Sequence, residues 1–339
     1  MFVKSIGIDL GTVNTLICLP KKGIVINEPS LVVFSKDNKQ PLAVGKKAKA
    51  MIGRTPDDIR AFSPLKDGVI ADYKVTEIML NYFINQAIGP FQFLKPEVVI
   101  SIPAGISSSE RRAVIEATLR IGAKNVYLIK EPLLAAIGAG IKINQPAGHM
   151  IVNVGGGTSE VAVISLGSIV AFASIKIGGV KMDEAIREYV RKKYNLEIGA
   201  STAEKIKIKI SQPRNQEKEE KTIEIKGHDI IEGLPGIIEV QENEISNCLR
   251  EALREITQAL KNVLQETPPE LSADILEEGV TLTGGGALTN GLGEAIQLAT
   301  GIKCHIADNP LLCVIEGITY ALKNLDSYKK ALLAKKPTF

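Results

Sequence analysis

Ile8-Asp9-Leu10-Gly11-Thr12 and, 144 positions further on, Val152-Asn153-Val154-Gly155-Gly156 are the two stretches from which the fold is read. The first closes an apolar arm, Ser5 to Leu10, and a second arm, Thr15 to Leu19, follows it. The other closes Met150 to Val154, turns through Gly155-Gly156-Gly157-Thr158 and continues in Val161 to Ile164. Asp9 and Asn153 hold matching places. One strand–turn–strand unit is therefore duplicated, the mark of two similar lobes. A third glycine turn, Gly284-Gly285-Gly286-Ala287, follows the apolar run Val280 to Thr283. Glycine lets the backbone approach a ligand closely, so successive N–H groups can converge on an anion. One such turn is ordinary hairpin chemistry. Two in one frame on separate lobes could clamp a polyphosphate from both sides. Neither a Walker A loop nor a GxGxxG fingerprint is present.

Outward from these turns, strands and helices alternate. Ile78, Met79, Tyr82 and Phe83 repeat at helical spacing within 75–87. Val98 to Ile102 reads as a buried strand, and Ser107 with Glu110 as a capping box opening the next helix. Val126 to Ile129 forms a strand ending at Lys130-Glu131-Pro132, before an alanine-rich helix. Further helices are expected near 182–194 and 202–211, then a polar loop from Gln212 to Lys221. A single long helix is expected from Asn243 to Gln265, stopped by Pro268-Pro269. The alternation predicts an α/β fold, with a β-rich insert after residue 30 and a mixed insert near 182–242.

With 339 residues the chain can form two domains, or one split by a cleft. Hydrophobic residues at 45% and charged residues at 23% describe a globular protein. A net charge of +3, with no basic block interleaved with aromatics, argues against nucleic acid; Arg191-Lys192-Lys193 reads as a solvated helix face. Four scattered cysteines and three distant histidines give neither a disulfide framework nor zinc spacing and fit a reducing cytosol. Met1 to Lys4 runs into a strand with no signal segment, and no apolar run reaches the ~18–20 residues that span a bilayer. The expected location is cytoplasmic.

Asp9, at a strand end, suits Mg²⁺ held through its water shell; the plainer reading is a turn-capping aspartate. Glu204 and Lys207 share a helix face and could both reach a nucleoside. On spacing alone a surface ion pair, worth ~0.2–0.5 kcal/mol, is the simpler account. Phe91, Phe93 and Leu94 lie in a loop between Gly89-Pro90 and Lys95-Pro96. Loops are normally exposed, so these side chains either enter a membrane surface beside a basic residue or fold back onto the core.

Ile8-Asp9-Leu10-Gly11-Thr12-Val13-Asn14-Thr15 resembles the first phosphate motif of the actin, sugar kinase and heat-shock chaperone superfamily. Gly53-Arg54-Thr55-Pro56, the run Pro64 to Asp72, Ala135 to Gly140 and Thr267 to Leu271 narrow the resemblance to the MreB/Mbl family of bacterial actins, over nearly the whole chain. The resemblance implies a two-lobed actin-like fold with ATP and Mg²⁺ in a central cleft. Its four subdomains would be IA (1–31, 72–144 and 314–339), IB (32–71), IIA (145–181 and 243–313) and IIB (182–242). It implies phosphate contacts from Thr12, Val13, Asn14, Gly155, Gly156 and Gly157. Glu204, Lys205, Ile206 and Lys207, with Gly284, Gly285, Gly286 and Ala287, would hold the adenosine. Glu131, assisted by Thr158, would activate the attacking water, and Asp9 and Asn153 would face the metal through water. As a helix N-terminal carboxylate, Glu131 also has a purely structural reading. Filaments of the chain itself on the inner face of the membrane, directing cell shape and wall synthesis, are implied, with RodZ-like and wall-elongation partners. So is lipid insertion by the 91–94 loop, here without the N-terminal amphipathic helix that many relatives add.

Three departures stand out. Asn153 replaces the usual Asp, Lys130 replaces the first of two acids before Pro132, and Val180 replaces an Asp after Gly178-Gly179. An amide attracts a divalent ion less strongly and cannot take up a proton. The expectation is retained nucleotide binding with slowed hydrolysis. The alternatives are a filament protein without turnover and a small-molecule kinase on the same scaffold. The kinase lacks a second acid beside the turns. A chaperone ATPase would need a substrate domain beyond Leu322, where a short basic tail stands.

Overall fold

The computed structural model describes residues 4–35, 40–56, 58–89, 95–212 and 222–324. In chain order the elements begin with β1 (Ser5–Leu10), β2 (Asn14–Leu19), β3 (Gly23–Pro29), β4 (Val32–Ser35), β5 (Pro41–Val44), α1 (Lys46–Met51) and β6 (Ile59–Phe62). A short ribbon, β7 (Leu65–Lys66) and β8 (Val69–Ile70), leads to α2 (Tyr73–Ile88), β9 (Glu97–Ile102), α3 (Ser108–Arg120), β10 (Asn125–Lys130) and α4 (Glu131–Gly138). The second half opens with β11 (His149–Val154), β12 (Ser159–Ser165), β13 (Ser168–Ile175), α5 (Gly179–Tyr194), β14 (Leu196–Glu197) and α6 (Ala200–Ile210). It continues through β15 (Thr222–Asp229), β16 (Pro235–Gln241), α7 (Glu242–Cys248), α8 (Arg250–Gln265), α9 (Pro269–Glu278) and β17 (Val280–Thr283). A 3₁₀ turn (Gly285–Leu288), α10 (Leu292–Thr300), β18 (Cys304–Ile306) and α11 (Cys313–Lys323) complete it.

Two five-stranded sheets repeat one plan. The first runs β10-β9-β1-β2-β3 and the second β18-β17-β11-β12-β13. In each, the opening strand pairs antiparallel with the next in sequence, and on its other side parallel with a strand reached through helices. The pairings Asp9↔Leu16 and Asn153↔Glu160 fall at the same register of the two hairpins. The duplication read from the turns is thus a duplication of whole sheets. Two three-stranded sheets, β5-β4-β6 and β14-β15-β16, are added, one to each half.

Each sheet has its own apolar core, one around Ile6, Ile8, Met79 and Phe83, the other around Val152, Met182, Ile256 and Leu260. A third cluster joins Leu16 and Val99 of the first sheet to Ile151 and Ala162 of the second through α4 and α11. These two helices form a layer shared by both lobes. The capping box is present: Ser107 Oγ accepts from the Glu110 N–H while Glu110 accepts from the Ser107 N–H. The single helix expected over 243–265 is instead two, α7 and α8, abutting at Leu249. There the hydrogen bonding tightens to i→i+3, with Leu249 N–H donating to Ser246 O at 3.3 Å, and the Leu249 side chain is buried. Most of the Gln212–Lys221 loop, and Phe91, Phe93 and Leu94, lie outside the described residues.

Candidate functional site

The tips of the two hairpins meet. A Cβ added at Gly156 would lie 2.3 Å from Val13 Cγ2, and one at Gly157 would lie 2.4 Å from Thr12 Oγ1. Only glycine permits this approach of one lobe's backbone to the other's turn. Gly11 N–H donates to Asn14 O at 3.1 Å and Gly155 N–H to Thr158 O at 2.8 Å, so both tips are closed by their own backbone. Thr12 Oγ1 accepts from the Gly68 N–H at 2.9 Å, tying the first tip to the β7–β8 ribbon. Behind the second tip, the first N–H groups of α5 donate to it: Gly179 to Gly155 O and Val180 to Gly156 O, each at 2.9 Å. Gly284 and Gly286 of the third turn press against Val154. All three glycine turns therefore converge on one place.

Beneath the tips stands a cluster of acids. Asp9, on β1, accepts from Ser101 Oγ at 2.7 Å rather than capping its turn. Burial pushes its carboxyl up to about 6, against the opposing pull of the Ser101 hydrogen bond. Glu131, the first residue of α4, accepts from Asn153 Nδ2 at 3.4 Å. Its carboxyl is held well above the usual range, first by burial and then by the charges of Glu160 and Asp9. The helix N-terminal placement is thus real, but the side chain faces other acids. Asn153 Oδ1 in turn accepts from Thr283 Oγ1 at 3.3 Å. Thr158 is buried, and its side chain stands against Gly68, where an added Cβ would meet Cγ2 at 3.1 Å.

Glu160 was not among the residues singled out from sequence. It is fully buried on β12, and its Oε1 accepts from the Ala104 N–H at 2.6 Å, a bond from one lobe to the other. Burial raises its carboxyl to about 7, offset by hydrogen bonds from Ala104 and Ser174 and by the Lys130 charge. Its signal was the repeat itself: the matching place in the first hairpin is Leu16. Lys130 has its Nζ 5.0 Å from the centre of the Phe172 ring.

The Glu204–Lys207 ion pair does not form. Lys207 turns to Asp183 at 2.9 Å and to Gly179 O at 2.8 Å, at the start of α5. Glu204 instead accepts from Lys49 Nζ at 2.7 and 3.0 Å, and Lys49 comes from α1 on the other lobe. Tertiary partners outcompete a local pair of small worth. Lys205 lines a separate cavity, Ile206 is buried in the lobe core, and Ala287 is buried beside the third turn.

Clustered carboxyls with raised proton affinity are the setting that a hydrated divalent cation relieves, since Mg²⁺ binds through one or two carboxylates plus phosphate oxygens. Among the described residues no group of three His, Cys, Asp or Glu forms a complete metal cage. Asp9 and its neighbours therefore fit an ion that brings its own water and phosphate ligands.

Two similar sheets, joined through a shared helical layer and meeting at paired turns, define the actin-like fold. The chain belongs to the MreB/Mbl protein family, whose sequence model matches residues 3–330. It is 48% identical over 334 residues to the cell shape-determining protein Mbl of Bacillus subtilis (strain 168), covering 98% of this chain and 100% of that one. It is 45% identical over 335 residues to the cell shape-determining protein MreB of Escherichia coli (strain K12), covering 97% and 96%. The crystal structure of MreB 5 of Spiroplasma citri bound to AMPPNP superposes with a TM-score of 0.91 at 37% identity, covering 96% of this chain and 98% of that one. The same protein bound to ADP gives 0.90.

Proposed function

We propose that this protein binds Mg-ATP between its paired turns, hydrolyses it slowly, and polymerises into filaments on the inner face of the cytoplasmic membrane that direct cell shape and wall synthesis. The observation that carries the reading is the direct apposition of Val13 and Thr12 with Gly156 and Gly157. Nucleotide complexes of the Spiroplasma relative support it. Thr12, Val13 and Asn14 from one side, and Gly155, Gly156 and Gly157 from the other, would contact the phosphates, with the Gly155 N–H itself kept in the bond to Thr158 O that closes the tip. Glu204 to Lys207 and Gly284 to Ala287 would hold the adenosine. Asp9 and Asn153 would hold the Mg²⁺ through water, and the ion would supply charge neutralisation for the polyphosphate. Glu131 would orient the attacking water and take its proton, with Thr158 assisting, in line with the γ-phosphate. A carboxyl with raised proton affinity is the better base near neutral pH.

Asn153 favours a second reading, nucleotide-dependent assembly without turnover. In both readings the frame is the four-subdomain division of an actin, and the chain assembles head to tail with copies of itself. Phe91, Phe93 and Leu94 would touch lipid, with many weak contacts summed along a filament; RodZ-like and wall-elongation partners belong to the same reading. Electron microscopy with ATP and anionic lipid, run beside phosphate release, tests it. Filaments with slow release are expected; absence of both nucleotide binding and filaments would refute it. Phe93→Ser with Leu94→Ser should lower vesicle co-sedimentation, and unchanged pelleting would remove the lipid contact.

A further inference from the structure

A cavity of about 290 Å³ lies between α1 of the first lobe and α6 of the second. Its lining includes four cationic side chains, Lys46, Lys49 and Arg54 from one lobe and Lys205 from the other, together with Ser201. The cap residue of α6, Gly199, offers no side chain to its first-turn N–H groups, which adds a positive helix end beside Ser201. The acids paired with these cations among the described residues are Glu204, on Lys49, and Glu28, on Lys46 at 3.4 Å, and neither lines the cavity.

We propose that this cavity is an anion site for a phosphate-bearing ligand, distinct from the nucleotide between the turns, and that its occupant braces the two lobes. Four cationic residues line a space of roughly ten water volumes, room for one or two phosphoryl groups, where an anion would compete with Glu204 for Lys49 and with Glu28 for Lys46. Lysine and arginine donors with a helix N-terminus are the chemistry that recognises phosphate. Because the cations come from both lobes, an occupant ties α1 to α6 where Lys49 and Glu204 already touch. Lys205 is also in the proposed nucleoside set, so the test uses Lys46 and Arg54, which lie outside it.

Sodium pyrophosphate is titrated calorimetrically into the full chain saturated with AMPPNP and Mg²⁺. Saturable binding is expected, weakened at least tenfold in Lys46→Glu/Arg54→Glu and by less in Lys46→Gln/Arg54→Gln, with AMPPNP affinity unchanged in both. Phosphatidylglycerol vesicles distinguish the source of the phosphate. Pelleting that falls in the same variants and is competed by pyrophosphate assigns a lipid headgroup; pelleting indifferent to both assigns a free anion. Absence of saturable pyrophosphate binding, or binding indifferent to both double variants, overturns the site.

Discussion

Asn153 stands between a donor and an acceptor: Thr283 donates to its oxygen, and its amide nitrogen donates to Glu131. A carboxylate in its place would lose the second bond and add a negative charge beside Asp9, Glu131 and Glu160. That charge favours a divalent cation and penalises the empty site. Asn153→Asp should therefore lower the Mg²⁺ concentration for half-maximal phosphate release several-fold and raise the release rate; unchanged values of both would show that the amide is not what slows the site. Glu160 allows a sharper test of electrostatics. Its carboxyl titrates at about 7 in the fold, against 4.5 for an ordinary glutamate. A raised carboxyl adds stability below the lower value, and that contribution is lost as pH climbs through the upper one. Glu160→Gln keeps an acceptor for the Ala104 N–H and removes the buried charge. In the nucleotide-free chain it should be more stable than the parent at pH 8, by ~1–3 kcal/mol, and gain nothing at pH 4. Denaturant midpoints at the two pH values check this.

At the scale of elements, α4 and α11 cross at closest approach through glycines. A Cβ on Gly317 would fall 2.0 Å from Leu134 O, and one on Gly138 would fall 1.8 Å from Cys313 O. Both obstacles are backbone, so a rotamer change relieves neither. Gly317→Ala should cost at least ~1–3 kcal/mol, read as a lowered thermal midpoint. Elements set by local chemistry were legible in the sequence: the two hairpins from Gly11 and Gly155, the strand Val98 to Ile102, the cap at Ser107. The break at Leu249 was not, because no proline or glycine marks it and the burial of that side chain depends on neighbours distant in sequence. The glycines of the α4–α11 crossing were equally silent, since nothing near Gly317 announces Leu134.

The whole molecule adds what joins one lobe to the other. Ala104 to Glu160 and Lys49 to Glu204 are contacts across 56 and 155 residues. The family resemblance implied a nucleoside role for Glu204, but neither Glu160 nor Lys49 was legible, since the approach of each depends on how the lobes sit. The pair is partly exposed, with 39% and 26% of the two side chains accessible, so its worth is under ~1 kcal/mol. Its effect is on geometry more than stability. Lys49→Ala should leave the thermal midpoint within about 2–4 °C while increasing the radius of gyration of the nucleotide-free chain in small-angle scattering. An unchanged radius would show that other contacts alone keep the lobes together.

The position of α11 bears on synthesis. Ile318 and Leu322, near the end of the described chain, pack over Gly7 on the first strand, and the cluster around Leu16 and Cys18 is completed by this helix. While the ribosome is still translating, the opening sheet lacks the cover for one of its faces. That apolar face must wait for α11 to emerge, or be shielded by a chaperone, and the first lobe reaches its native form only after the second has been translated.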